Sequence, residues 1–279
     1  MTKLLLIAGR PSHSPGAHEY RAGMLLLAQC LQAVPNLEVD VHDEGWVSSD
    51  DAFAGASAVA IFADGGVRHP LLEDDHLATI SNLIDERRLG FGLMHYAVEL
   101  PEGDGAERVG SWIGGHYEDQ VSCNPIWKAR IEHLPAHPVA RGVAPFETTD
   151  EWYFNIQFDQ AAVDRSEMPG SAGRITPILV ATPLNAVRQG PYVYPQGPYP
   201  HIVAASGRCE TLMWVFERFD GGRGFGLTGG HFHANWANAA FRTAVLNALV
   251  WIAGVEVPVD GVRSVPTADD LSRNLDPIS

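Results

Sequence analysis

The chain has 279 residues, 46% of them hydrophobic, with 34 acidic and 19 basic side chains and a formal net charge of -15. That is enough apolar material for one sizeable core, and the acidic excess repels phosphate backbones, which argues against a nucleic-acid partner. Cys30, Cys123 and Cys209 are sparse, odd in number and without a CxxC pair, so neither a disulfide framework nor a zinc ribbon is expected and the thiols read as reduced.

The elements follow in chain order. Lys3 to Ala8 is a short continuous apolar run ending at Gly9, the pattern of a strand buried on both faces. Its five straight apolar residues, Leu4 to Ala8, fall short of a signal-peptide core. No later stretch approaches the roughly 18 apolar residues of a membrane span, so a cytoplasmic location and no membrane partner are expected. Gly9 to Gly16 is a loop, and Ala17 to Ala33 has helical spacing. Leu37 to His42 alternates as a second strand, and Ala58 to Ala63 is a third, buried strand followed by Asp64, Gly65 and Gly66. Leu72 to Arg88 reads as a helix, with Glu73, Asp74 and Asp75 in its first turn and Arg87 and Arg88 in its last, as the helix dipole favours. Leu89 to Met94 is a fourth strand. Glu99 to Gln160 reads as irregular. Strands follow at Arg174 to Ala181, Thr211 to Glu217 and Gly224 to Thr228, with a Pro/Gly/Tyr loop at Asn185 to Pro200 whose role as a lid is left open. A long helix is expected over Asn235 to Ala253. Residues 1–254 thus read as a single domain and 255–279 as a C-terminal tail. Strands alternating with helices predict an α/β fold with a mainly parallel, doubly wound sheet and helices on both faces.

In such sheets ligands bind beyond the carboxyl ends of the strands, and three of the four segments there are rich in histidine. In Gly222 to Trp236, paired glycines precede His231 and His233 at a helix entrance. Two imidazoles so placed can share a ligand or metal or act as acid and base; capping the helix is the structural alternative. In Gly90 to Glu99 an apolar strand ends at His95, at an elbow where nucleophiles often sit, with Glu99 beyond; a satisfied core histidine is the alternative. Glu151 lies beside Asp150 and among Trp152, Tyr153 and Phe154. A carboxylate so surrounded is desolvated and its pKa rises, as suits a general acid or base; pairing with an arginine or backbone amides is the alternative. His18 and Glu19 open a helix, and His116 follows WIGG at Trp112 to Gly115. A phosphate loop, a G-x-S-x-G elbow and HExxH are all missing.

Several of these motifs together resemble the ThuA-like (trehalose-utilisation) family. They are Leu93–Glu99, Trp112–Gly115, His137–Gly142, Asp150–Tyr153, Gly222–Trp236 and Asn247–Gly254, in the expected order. The resemblance implies a flavodoxin-like sheet of the class I glutamine amidotransferase-like type. In true amidotransferases a Cys occupies the elbow and a His of an HxE motif follows a late strand. Here His95 stands at or beside the elbow and His231-Phe232-His233 near the HxE region, with no Cys at the elbow. Glutamine hydrolysis therefore does not carry over. The family is associated with disaccharide catabolism alongside dehydrogenases that make 3-keto-glycosides.

The expected function is an enzyme acting on a sugar, a keto-glycoside, by hydrolysis, elimination or isomerisation. His95, Glu151, His231 and His233 are the candidate catalytic residues. His18, Glu99, His116, Trp152, Tyr153 and Trp236 are the candidate substrate-binding residues. His95, His231 and His233 are candidate ligands for zinc or another divalent metal. The partner is a small-molecule carbohydrate, and a homo-oligomer is left open. The alternatives are a non-catalytic carbohydrate or small-molecule binding domain, which would carry no perturbed titratable groups, and a structural scaffold.

Overall fold

The computed structural model describes residues 1–159 and 173–277. Gln160, the end of the stretch read as irregular, and residues 278–279 of the tail lie outside them. Seven strands form the central sheet: β1 (Thr2–Ala8), β2 (Leu37–His42), β3 (Ala56–Phe62), β4 (Gly90–Met94), β9 (Gly173–Ala181), β10 (Glu210–Arg218) and β11 (Arg223–Leu227). Their order is β2-β1-β3-β4-β11-β10-β9. The first five are parallel in register, and β10 runs antiparallel to both β11 and β9.

The continuous apolar runs have the expected cause. Leu4, Leu6 and Ala8 of β1 face one hydrophobic layer, and Leu5 and Ile7 face the other. Successive side chains on a strand point to opposite faces, so a strand covered on both sides has no polar face to show. The first layer is closed by α1 (Tyr20–Leu31) and α6 (Ala239–Ile252), and the second by α2 (His76–Arg87) and α3 (Asp104–Ile113).

Several elements differ from the sequence reading. Glu73, Asp74 and Asp75 precede α2, because a short 3₁₀ turn at Pro70–Leu72 intervenes and Asp74 has a φ of 44°, outside helical space. The last long helix starts only at Ala239, where Asn238 accepts from the amides of Ala240 and Phe241 as N-cap; a separate 3₁₀ turn occupies His233–Ala237. The stretch read as irregular contains α3 and four strands: β5 (Gly115–His116) and β8 (Gln157–Phe158), and β6 (Ile126–Ile131) paired antiparallel with β7 (Phe146–Glu151). Asn185 to Pro200 holds a short helix, α4 (Asn185–Arg188), and leads into α5 (Pro200–Ala204).

Beyond Gly254, Val257 and Val262 are buried, and α7 (Ala268–Ser272) opens with a Thr267/Asp270 capping box. This segment is anchored at both of its contacts with the site loops. The Leu271 carbonyl lies 2.9 Å from His233 Nε2, and the Asp276 amide donates to Glu19 at 2.7 Å. No helix among the described residues is long and apolar enough to cross a membrane.

Candidate functional site

The loops that follow β1, β3, β4 and β11 converge at the carboxyl rim of the sheet, where open α/β sheets bind ligands. His95 is the first residue after β4 and His18 lies just before α1; both take the left-handed backbone conformation, with a φ of 54°. That conformation is uncommon for a non-glycine residue and is held only where the surroundings over-determine it. The His231 loop turns on Gly229 and Gly230. A Cβ at Gly229 would stand 2.2 Å from the Trp152 ring, and Gly230 has a φ of 111°. Asp150 ties this loop to the end of β7. Its buried carboxylate accepts from the amides of Gly230 at 2.8 Å, Phe232 at 3.3 Å and its neighbour Glu151 at 2.9 Å. Burial nevertheless pushes the Asp150 pKa up, with those amides pulling against it.

The result is a cluster of four side chains. Glu151 Oε2 lies 2.5 Å from His231 Nδ1 and 3.8 Å from His95 Nε2. His18 packs against both histidines, with ring centroids 4.7 Å from His95 and 4.6 Å from His231. One donor atom from each of His18, His95, Glu151 and His231 lies within 4.8 Å of every other, so these four can hold a metal.

Their outer partners fix which atoms face inward. His95 Nδ1 is 2.8 Å from the Thr228 carbonyl, which only accepts, so Nδ1 carries the proton and Nε2 the lone pair. Tyr20 donates to Asp64 at 2.8 Å, so its oxygen accepts from His18 Nδ1 at 2.7 Å and His18 Nε2 is left bare. Asn124 donates to Glu151 Oε1 at 2.8 Å, leaving Oε2 toward the histidines. Burial, reinforced by the neighbouring imidazoles, lowers the His18 pKa far below its usual value and the His95 pKa to about 3. Both rings are therefore neutral at pH 7. Burial raises the Glu151 carboxyl, against the pull of His231.

The cluster forms one wall of a cavity of about 710 Å³, to which His18, Glu151 and His231 contribute. Tyr96, Tyr117 and Tyr153 line it with Glu99 and Asn124, and Val193 and Tyr194 of the Asn185–Pro200 loop stand at it. Burial, with Asp119 and Glu151 nearby, brings the Glu99 carboxyl up to about 7, within reach of proton transfer at neutral pH.

Of the candidate residues, the structure brings His95, Glu151, His231, His18, Glu99 and Tyr153 to this place. The other four stand elsewhere. His233 opens the 3₁₀ turn and bonds the Leu271 carbonyl. Trp152 is fully buried, bonding the Thr148 carbonyl at 3.3 Å and meeting Phe241 edge-on. Trp236 is fully buried and stacks on Phe241. His116 sits half-buried in β5, outside the cavity wall. Sequence reasoning missed Asn124, Tyr117, Tyr96 and the Tyr20–Asp64 pair. Only the last pair left a signal: Asp64 ends a buried strand, at the same rim as the singled-out histidines.

No family model matches the chain, and no curated protein does either. Solved structures do. A ThuA-like protein from Parabacteroides merdae superposes with a TM-score of 0.57 at 16% identity, covering 95% of this chain and 93% of the other. The chain has the fold of ThuA-like proteins. A second such protein, from Bacteroides uniformis, superposes with a TM-score of 0.56 at 12% identity over 90% of both chains. Both identities are low enough that the likeness speaks for the fold alone.

Proposed function

We propose that this chain is an enzyme of carbohydrate catabolism that acts on a keto-glycoside by hydrolysis, elimination or isomerisation, with a divalent metal assisting. The observation that carries the reading is one cavity, about 710 Å³, lined by the neutral ring of His18, by His231 and Glu151 and by the raised carboxyl of Glu99 between tyrosine walls. The volume suits a small sugar, since small-molecule pockets run to roughly 300–1,000 Å³. Tyrosines offer both an apolar face and a hydroxyl to a sugar ring. A keto group acidifies its neighbouring C–H bonds, so a carboxylate or imidazole base can remove a proton without a covalent intermediate. Perturbed groups in a cleft favour catalysis over plain binding.

We read the β2-β1-β3-β4-β11 order as the doubly wound, flavodoxin-like sheet of the class I glutamine amidotransferase-like type. The resemblance to ThuA-like proteins supports the sugar, and three free thiols support the cytoplasm. The test is incubation with a panel of 3-keto-glycosides and their parent glycosides, followed by NMR of the products. The expected result is turnover of a keto sugar that falls at least ~10²-fold in Glu151→Gln. An active-site variant as fast as the parent, or no change in any keto sugar, would sink the reading.

A further inference from the structure

His18, His95, Glu151 and His231 converge on one point, and His18 and His95 turn bare ring nitrogens toward it. His95 Nε2, Glu151 Oε2 and His231 Nδ1 are buried without a hydrogen-bond partner; the 2.5 Å approach of His231 to Glu151 is close but not in hydrogen-bond geometry. Buried polar atoms in folded proteins are almost always paired, and each one left unmade costs about 1–3 kcal/mol. A proton does not resolve the cluster. One proton satisfies one pair, whereas His18 and His95 have both spent their N–H on outer acceptors and present bare nitrogens.

A cation satisfies all four at once. From this arrangement we infer that His18, His95, His231 and Glu151 are the ligands of one divalent first-row transition metal, zinc being the best match to three imidazoles and a carboxylate. Donors at about 2.1 Å from a shared ion stand about 3.4 Å apart. The His95–Glu151 separation of 3.8 Å is close to that, and the His231–Glu151 pair has to open from 2.5 Å.

The surroundings are those of a built metal site. Metal-bound histidines hand their other N–H to a carbonyl or carboxylate. His95 does so to the Thr228 carbonyl, His18 does so through the Tyr20 hydroxyl to Asp64, and Asn124 holds the outer oxygen of Glu151. His233, the remaining histidine of the same loop, is committed to the Leu271 carbonyl and is not a ligand. The site opens on the cavity through His18, Glu151 and His231, so a substrate oxygen can reach the ion. The inference rests on the site of the proposed function, not on its substrate.

The test uses the full chain, stripped with a chelator and dialysed, then titrated with Zn²⁺ and with Co²⁺. Calorimetry gives the stoichiometry, and the Co²⁺ visible bands report the ligand field. Parent, Glu151→Gln, His231→Asn, Tyr20→Phe and His233→Ala are compared, with circular dichroism to confirm folding. The expected result is about one ion per chain with tetrahedral or five-coordinate Co²⁺ bands. Affinity should fall ~10–100-fold in Tyr20→Phe, fall further in the two ligand variants, and hold in His233→Ala. Two outcomes overturn the inference: an ion retained at full affinity in folded Glu151→Gln and His231→Asn, or no binding of either ion by the parent at millimolar concentration. The parent titration decides even if a variant does not fold. A metal bound as expected without sugar turnover sinks only the sugar. Sugar turnover in protein that binds no metal sinks only the metal.

Discussion

Arg188 and Glu210 are as deeply buried as His95 and Glu151, yet the two clusters are built in opposite ways. Around Glu210 the charges alternate. Arg188 donates to it at 2.7 Å and Arg208 at 3.0 Å, while the Asn155 amide takes its second oxygen at 3.0 Å. Arg188 also lies over the Phe154 ring. Around Glu151 the neighbours are the imidazoles of His95 and His231 and one amide, Asn124, and His95 Nε2, Glu151 Oε2 and His231 Nδ1 are buried without a hydrogen-bond partner. The first cluster pairs opposite charges within the chain, with Arg188 Nε alone left without a partner, and serves the fold. The second is complete only with something added. Buried polarity of equal depth thus separates by whether a carboxylate meets opposite charge within the chain.

The comparison breaks most visibly in turnover. Glu151→Gln keeps the shape and removes the charge, and it should cost ~10²–10⁴-fold in keto-glycoside turnover while thermal stability holds or rises. Parallel rate and melting measurements would show this, and a matching loss of stability would make Glu151 structural instead. Arg188→Met should do the reverse. It leaves the Glu210 carboxylate buried with less compensation, so chemical denaturation should record a loss of about 3–5 kcal/mol, with turnover of the remaining folded protein near normal.

Asp150 lies between these extremes. Asp150→Asn removes an acceptor from the amides of Gly230 and Phe232, so it should destabilise by about 1–3 kcal/mol and lower kcat more than it raises KM, by moving His231. Equal effects on a variant remote from the cavity would deny it that positioning role.

Glu99 sharpens the comparison through pH. Its folded pKa of about 7 lies above the ordinary carboxyl value of 4.5, so the folded state holds the extra proton between those limits. Stability from this group is therefore present at low pH and lost as pH rises from about 4.5 through 7. Denaturation curves across that window should be flatter in Glu99→Gln, and an unchanged slope would contradict the raised pKa. The smallest effect belongs to His233→Ala. Removing its bond to the Leu271 carbonyl should cost about 0.5–1.5 kcal/mol and leave turnover intact.

Much of the sheet is legible in the sequence because strands are apolar where both faces are covered, as over Leu4–Ala8 of β1, Ala58–Phe62 of β3 and all of β4. Helix α3 is not, because Gly105 and Gly110 interrupt its stripe, although Ala106, Val109, Trp112 and Ile113 do face the core. Gly105 is there for space: a Cβ on it would stand 3.1 Å from Leu72. Histidines at strand ends and a carboxylate among aromatics single out His95, His231 and Glu151. Spacing says nothing of which way each points. Trp152 and Trp236, aromatic like Tyr153, go to the core beside Phe241. Asn124 and Tyr117 come to the cavity from β-bridged loops, where no period records their direction.

The segment beyond Gly254 touches Glu19 through the Asp276 amide and His233 through the Leu271 carbonyl. Each contact is next door in sequence to a residue of the cluster, His18 in one case and two positions from His231 in the other. A protease cut between 262 and 271 would therefore be heard at the cavity some way from the nick. Limited digestion becomes a gauge of the site, with a filled cluster slowing cleavage of a strap that never meets the ligand.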